Sequence, residues 1–117
     1  MRKIFHLANC NTCQRIIHEL NDGDGFELQN IKEDNISAKQ LDQMHKMVGS
    51  YESLFSRRAM KYRSLGLNNL NLTEQDYRKH ILEEYAFLKR PVIIIDEEIF
   101  VGNSKNVVAA AKVKLKI

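Results

Sequence analysis

Two cysteines, Cys10 and Cys13, stand three residues apart between a short apolar run, Lys3 to Leu7, and a segment of helical spacing. The start of a helix exposes unpaired backbone N–H groups and the positive end of the peptide dipole. A thiol placed there has its anion stabilised, and the thiolate is the reactive species. Cys10, just before the helix, is therefore the expected nucleophile. Cys13, one turn in, is placed to attack a bond formed on Cys10. The amides of Asn11, Thr12 and Cys13 would form a nest for an oxyanion or for the sulfur of a mixed disulfide.

The same residues admit two blander readings. A Cys-x-x-Cys pair can bind zinc, but a closed structural site takes four ligands. No second pair exists, and His6, His18, His45 and His80 are scattered, so no metal is expected. Two inert thiols are the other alternative, with Cys13 as simple core packing. The strand-to-helix setting favours thiol chemistry over both.

Two further features bear on an anionic substrate. Arg57-Arg58, with Lys61 and Arg63 close by, offers guanidinium forks that match tetrahedral oxyanions and carboxylates. A solvated basic helix face is the commoner meaning of such a run. Lys89-Arg90-Pro91-Val92 puts the single proline at the start of a strand, where it cannot donate to the ladder. By residue type alone, a plain strand-start proline is the simpler reading of Pro91.

The elements that must position these groups follow from periodicity. Lys3 to Leu7 reads as a buried strand. Cys13, Ile16, Ile17 and Leu20 share one helix face, and Asn21 to Gly25 closes that helix in a turn. Phe26, Leu28 and Asn30 are expected to share one face of a second strand, parallel to the first by the usual right-handed crossover. Ser37-x-x-Gln40 and Thr73-x-x-Asp76 open two helices in the manner of capping boxes, and a short helix carries Tyr51, Leu54 and Phe55. Val92 to Ile95 and Ile99 to Val101 form an antiparallel hairpin about Asp96-Glu97. A last helix runs from Ser104 to Lys116, with Val107, Val108, Ala111 and Leu115 facing inward. The order is β-α-β, helices, β-β-α: an α/β fold with a mixed four-stranded sheet and a helical insertion of approximately 36–87 in a single domain, 1–117.

Composition narrows the classes. The chain has 117 residues, 18 Lys and Arg against 15 Asp and Glu, a net charge of +3, and 44% hydrophobic residues. That is one ordinary domain, without the basic excess of a dedicated nucleic-acid binder. No apolar run approaches the roughly 20 residues of a membrane span. His6 and Asn9 interrupt the opening residues, so a signal peptide is not expected. Two cysteines do not build a secreted disulfide scaffold, and a reduced, cytoplasmic setting is the expectation.

Taken together, these segments resemble the arsenate reductase family of the ArsC/Spx type. The resemblance is carried by Asn9-Cys10-Asn11-Thr12-Cys13-Gln14-Arg15, Leu54-Phe55-Ser56-Arg57-Arg58, Tyr62 to Leu67, Leu88-Lys89-Arg90-Pro91-Val92-Ile93-Ile94 and Val101-Gly102. They span essentially the whole chain in the family's order. The resemblance implies a thioredoxin-like fold, with Pro91 as a cis-proline facing the active cysteine. It implies Cys10 as nucleophile, with Arg90 and one of Arg57 and Arg58, Arg58 preferred, as oxyanion binders. It also implies glutathione with glutaredoxin, or thioredoxin, as reductant, with no cofactor bound. A further family arginine has no counterpart near Gly102-Asn103. Cys13 departs from the single-cysteine reductases and resembles the Spx branch, whose members are redox-sensing transcription regulators that bind the RNA polymerase alpha subunit. The expected activity is thus attack by Cys10 on an oxyanion or disulfide, with a redox-switched regulator as the alternative.

Overall fold

The computed structural model describes all 117 residues. The chain divides into two compact units, one of residues 1–34 with 90–117, the other of residues 35–89.

In the first unit, β1 (Arg2–His6) leads to α1 (Asn11–Glu19) and then β2 (Glu27–Asn30). After residue 90 come β3 (Val92–Ile95), β4 (Glu98–Val101) and α5 (Lys105–Leu115). The sheet order is β2-β1-β3-β4. β1 and β2 are parallel, with Ile4 opposite Leu28; β1 and β3 are antiparallel, with Ile4 opposite Ile93; β3 and β4 form the antiparallel hairpin. This is the mixed α/β sheet of a thioredoxin-like fold. Period-2 alternation turns Ile4, Ile93 and Ile95 to one face. There they meet Ile16, Ile17 and Leu20 of the α1 segment and Val108 and Ala111 of α5 in one buried cluster. β1, in the middle of the sheet, thus delivers its carboxyl end to the loop that starts α1.

The second strand differs from the pattern expected of it. Gln29 is buried and Leu28 exposed. The Gln29 carboxamide donates to the Asp34 carbonyl at 2.9 Å, which satisfies the buried polar group. Leu28 lies instead against Gly23, whose positive φ closes the turn after α1. In α5, Val108 and Ala111 are buried, whereas Val107 and Leu115 are only half-buried.

In the second unit, α2 (Ala38–Val48) and α4 (Glu74–Glu83) both begin with a full capping box, Ser37 with Gln40 and Thr73 with Asp76. Gly49 ends α2 at φ 84°, with its amide on the His45 carbonyl at 2.7 Å. Tyr51 to Phe55 holds only a 3-10 turn, Glu52–Leu54. A short helix, α3 (Met60–Ser64), and a 3-10 turn, Leu67–Asn69, were not foreseen. α3 buries no residue, so no apolar stripe marks it. The core of this unit is aromatic: Phe55 lies 5.0 Å from Phe87 and 4.9 Å from Tyr77, ring centre to ring centre. Asp42 of α2 accepts two hydrogen bonds from Arg78 of α4, at 2.8 and 3.0 Å, and one from Tyr51 Oη at 2.6 Å.

Candidate active site

Cys10 is the residue just outside α1, in extended conformation. Its own amide donates to the Leu7 carbonyl and its carbonyl accepts from Gln14 N, at 3.0 and 3.1 Å. This is the N-cap position, at which Ser or Asp normally accepts from the second or third helical amide. Here a thiol replaces the oxygen and closes no such bond in the neutral form. Partial burial on its own would raise the Cys10 pKa. It is outweighed by the amide and thiol of Cys13, the amide of Thr12 and the positive charge of Arg90, and the net shift is downward. All of these favour the anion.

Cys13 is fully buried in the first turn of α1. Burial is the main reason its pKa is pushed up to about 11, and the neighbouring Cys10 sulfur adds to the rise. The two sulfurs are free thiols. Loss of one proton therefore falls on Cys10, and Cys13 keeps its S–H as a donor to the resulting thiolate. Environment splits two identical side chains into a nucleophile and a reserve thiol.

Arg90 enters this unit immediately before β3, and the Arg90–Pro91 peptide is cis, as the resemblance implies and the composition-based reading does not. Pro91 is buried, and its carbonyl accepts from Gly102 N at 2.9 Å. Asn11 is exposed and Thr12 half-buried at the mouth of the helix. Thus Cys10, Asn11, Thr12, Cys13, Arg90 and Pro91 all belong to the sheet-bearing unit. Arg57 and Arg58 lie on the helical unit, both exposed. Arg57 is committed there: its guanidinium donates to Glu52 at 2.6 Å and to Tyr77 Oη at 2.9 Å. Arg58 makes no ion pair.

One supporting side chain went unnoticed in the sequence. Gln14 Nε2 donates to the Leu7 carbonyl at 3.3 Å and lies 3.5 Å from His6 Nδ1. It ties the last residues of β1 to the first turn of α1, across the loop that carries Cys10. An exposed glutamine on a helix gives no signal of such a bond in a linear sequence. His6 itself is buried, and that burial lowers its pKa. No group of three or more His, Cys, Asp or Glu side chains is placed to hold a metal ion. No helix is long and apolar enough to cross a membrane.

Fold and site define a thioredoxin-like protein with a Cys-x-x-Cys pair at the start of its first helix and a cis Arg90–Pro91 peptide just before β3. Residues 5–111 match the model of the ArsC family, and the chain belongs to that family. Among solved structures, an arsenate reductase from Vibrio cholerae superposes with a TM-score of 0.79 at 17% identity, over 93% of this chain and 95% of that one. An arsenate reductase related protein from Brucella melitensis gives 0.68 at 25% identity, over 99% and 95%. A protein from Staphylococcus aureus gives 0.77 at 22% identity, over 94% and 97%. No curated protein sequence matches the chain.

Proposed function

We infer that this chain is a thiol-dependent oxidoreductase of the arsenate reductase kind, with Cys10 as its nucleophile. The observation that carries this reading is the placement of two free thiols at one helix start, Cys10 partly exposed at the N-cap of α1 and Cys13 buried in its first turn, with the Cys10 pKa drawn down and the Cys13 pKa pushed up accordingly. A low-pKa sulfur beside a protonated one is the arrangement that attack followed by resolution needs.

On a disulfide, the Cys10 thiolate attacks one sulfur, forms a mixed disulfide and expels the other half as a thiolate. Cys13, giving its proton to solvent or to the departing thiolate, then attacks Cys10 and releases the second half. The substrate gains two electrons, Cys10 and Cys13 lose them as they close a disulfide, and thioredoxin, glutaredoxin or glutathione reduces that disulfide again. On arsenate, Cys10 displaces an oxygen as water to form a sulfur–arsenic bond. Attack of Cys13 or glutathione on the Cys10 sulfur then leaves the bonding pair on arsenic and frees arsenite. Arg90, with the amides of Thr12 and Cys13, meets the negative charge that develops in either case. Of the arginine pair that the resemblance offers, Arg57 is committed to Glu52 and Tyr77, whereas Arg58 makes no ion pair.

The test is turnover of arsenate with glutathione and glutaredoxin, run beside reduction of a small disulfide. Wild type should act on at least one substrate, and Cys10→Ser on neither. Equal activity of the two proteins would refute the reading. The same thiol pair also favours a second reading, a redox-switched regulator that binds the RNA polymerase alpha subunit. Oxidation-dependent binding of that subunit, without Cys10-dependent turnover, would select it.

A further inference from the structure

The sheet fixes how α1 and α5 lie. β1 and β4 are each antiparallel to β3, so they run the same way. α1 follows β1 and α5 follows β4. Both helices pack on one face, with Ile16 and Ile17 of α1 and Val108 and Ala111 of α5 in a single cluster. They are therefore parallel neighbours, start beside start. A cavity of about 410 Å³ lies between them, within the range of small-molecule sites, roughly 300–1,000 Å³. Its floor is Val108 and Ala109, and none of residues 10–14 lines it.

The two ends of the cavity differ in charge. Late in both helices, the Glu19 carboxylate accepts from Lys112 at 3.1 Å, and the charges of this pair cancel. Near the helix starts stand Arg15, one turn before Glu19 on α1, and Asn103 and Lys105 at the beginning of α5. Arg15 approaches Glu19 only through Nε, at 3.7 Å, and its two terminal nitrogens bond nothing in the chain. Lys105 makes no ion pair, and the Asn103 carboxamide makes no hydrogen bond. Lys105 is also the first residue of α5, at the positive end of the peptide dipole, and no acidic residue in that turn offsets it. Two positive charges and an unused amide thus face one end of an apolar-floored cavity, and the one carboxylate is matched at the other end.

We propose that this cavity binds a small phosphate monoester, with the phosphate between Arg15, Lys105 and Asn103 and the organic body on Val108 and Ala109. Such a phosphate carries about −1.5 to −2 charge at pH 7 and three acceptor oxygens. The Arg15 fork suits two of those oxygens, and Lys105 supplies a point charge to the group. A dicarboxylate fits less well, because its second charge would meet the apolar floor or Glu19. The site is separate from the thiol pair and does not depend on the function proposed for it.

The probe is phenyl phosphate, titrated into the isotope-labelled chain and followed by backbone amide NMR shifts. Saturable shifts should centre on Arg15, Asn103 and Lys105, and not on Cys10 and Arg90. Inorganic phosphate, which lacks the apolar body, and glutarate, which divides its charge between two ends, should each bind more weakly. Lys105→Glu should raise the phenyl phosphate dissociation constant about tenfold or more, since it reverses a charge within contact distance of the anion. Lys105→Gln should raise it by less, and Lys39→Glu, on α2, should leave it at the wild-type value. The same spectra report whether each variant is folded. The proposal is overturned by an absence of saturable shifts, or by shifts centred on Cys10 and Arg90. Inorganic phosphate or glutarate binding as tightly as the ester, or an unchanged constant in Lys105→Glu, would overturn it equally. None of these outcomes touches Cys10-dependent turnover, so the oxidoreductase reading stands or falls on its own test.

Discussion

At the scale of single residues, chemistry is decided by which of two thiols loses its proton first. Cys10 sits where two amides, a neighbouring S–H and a guanidinium all favour charge, and Cys13 sits where burial opposes it. Iodoacetamide near neutral pH should therefore label Cys10 and spare Cys13, as peptide mass mapping would read. Removing one donor should raise the Cys10 pKa. Cys13→Ala is expected to shift the pH profile of Cys10 alkylation upward, and Arg90→Leu to do the same. An unmoved profile in both variants would mean that neither group acts on the sulfur. Gln14→Ala removes the tie between helix and loop and should loosen the position of Cys10 without changing its neighbours. Its expected signature is slower alkylation at high pH, where every Cys10 is already a thiolate.

At the scale of elements, stability depends on caps and on one buried facing of helices on the sheet. Ser37 and Thr73 each satisfy a free helix amide through a side-chain oxygen. Ser37→Ala should cost about 1 kcal/mol, the usual value of such a cap, measurable by urea unfolding. Ile16 is fully buried between α1 and the sheet. Ile16→Ala should cost about 2–5 kcal/mol, and because it loosens the helix that begins at Cys10, it should also slow alkylation. The α2–α4 tie is electrostatic. Arg78 and the Tyr51 hydroxyl hold the Asp42 carboxyl down to about 2. The stabilisation is complete above the ordinary carboxylate range and is lost as pH falls from about 4 toward 2. Asp42→Asn should flatten that part of the acid unfolding curve.

At the scale of the whole molecule, pH should act in two separate windows. His6 is buried and its pKa lies below the ordinary value of 6.5. The unfolded chain then binds the extra proton more readily, so the neutral imidazole contributes stability in full above that value, and this contribution declines as pH drops through and below it. Thermal midpoints should fall gently below pH 6.5, a slope that His6→Gln removes, and again in the more acidic window of Asp42. One gradual slope untouched by either substitution would contradict both assignments. The net charge of +3 is small, so global repulsion is a minor contributor to either transition.

How much of this was legible in the sequence depends on the range of the interaction. Strand, helix and hairpin were readable because apolar spacing and capping residues act locally, and so was the placement of Cys10 at a helix start. The reversal of Leu28 and Gln29 was not, since it depends on an acceptor at Asp34 and a glycine contact at Gly23. α3 escaped because it buries nothing. The sequence by itself determined the fold class, the thiol pair and the presence of arginines. Only the tertiary structure decided that Arg57 is consumed by Glu52 and Tyr77, that Gln14 braces the cysteine loop, and that Arg15, Lys105 and Lys112 from two distant stretches of chain converge on one cavity. Short-range preferences are written residue by residue, whereas the meeting of charges far apart in the chain is set by how the helices pack on the sheet.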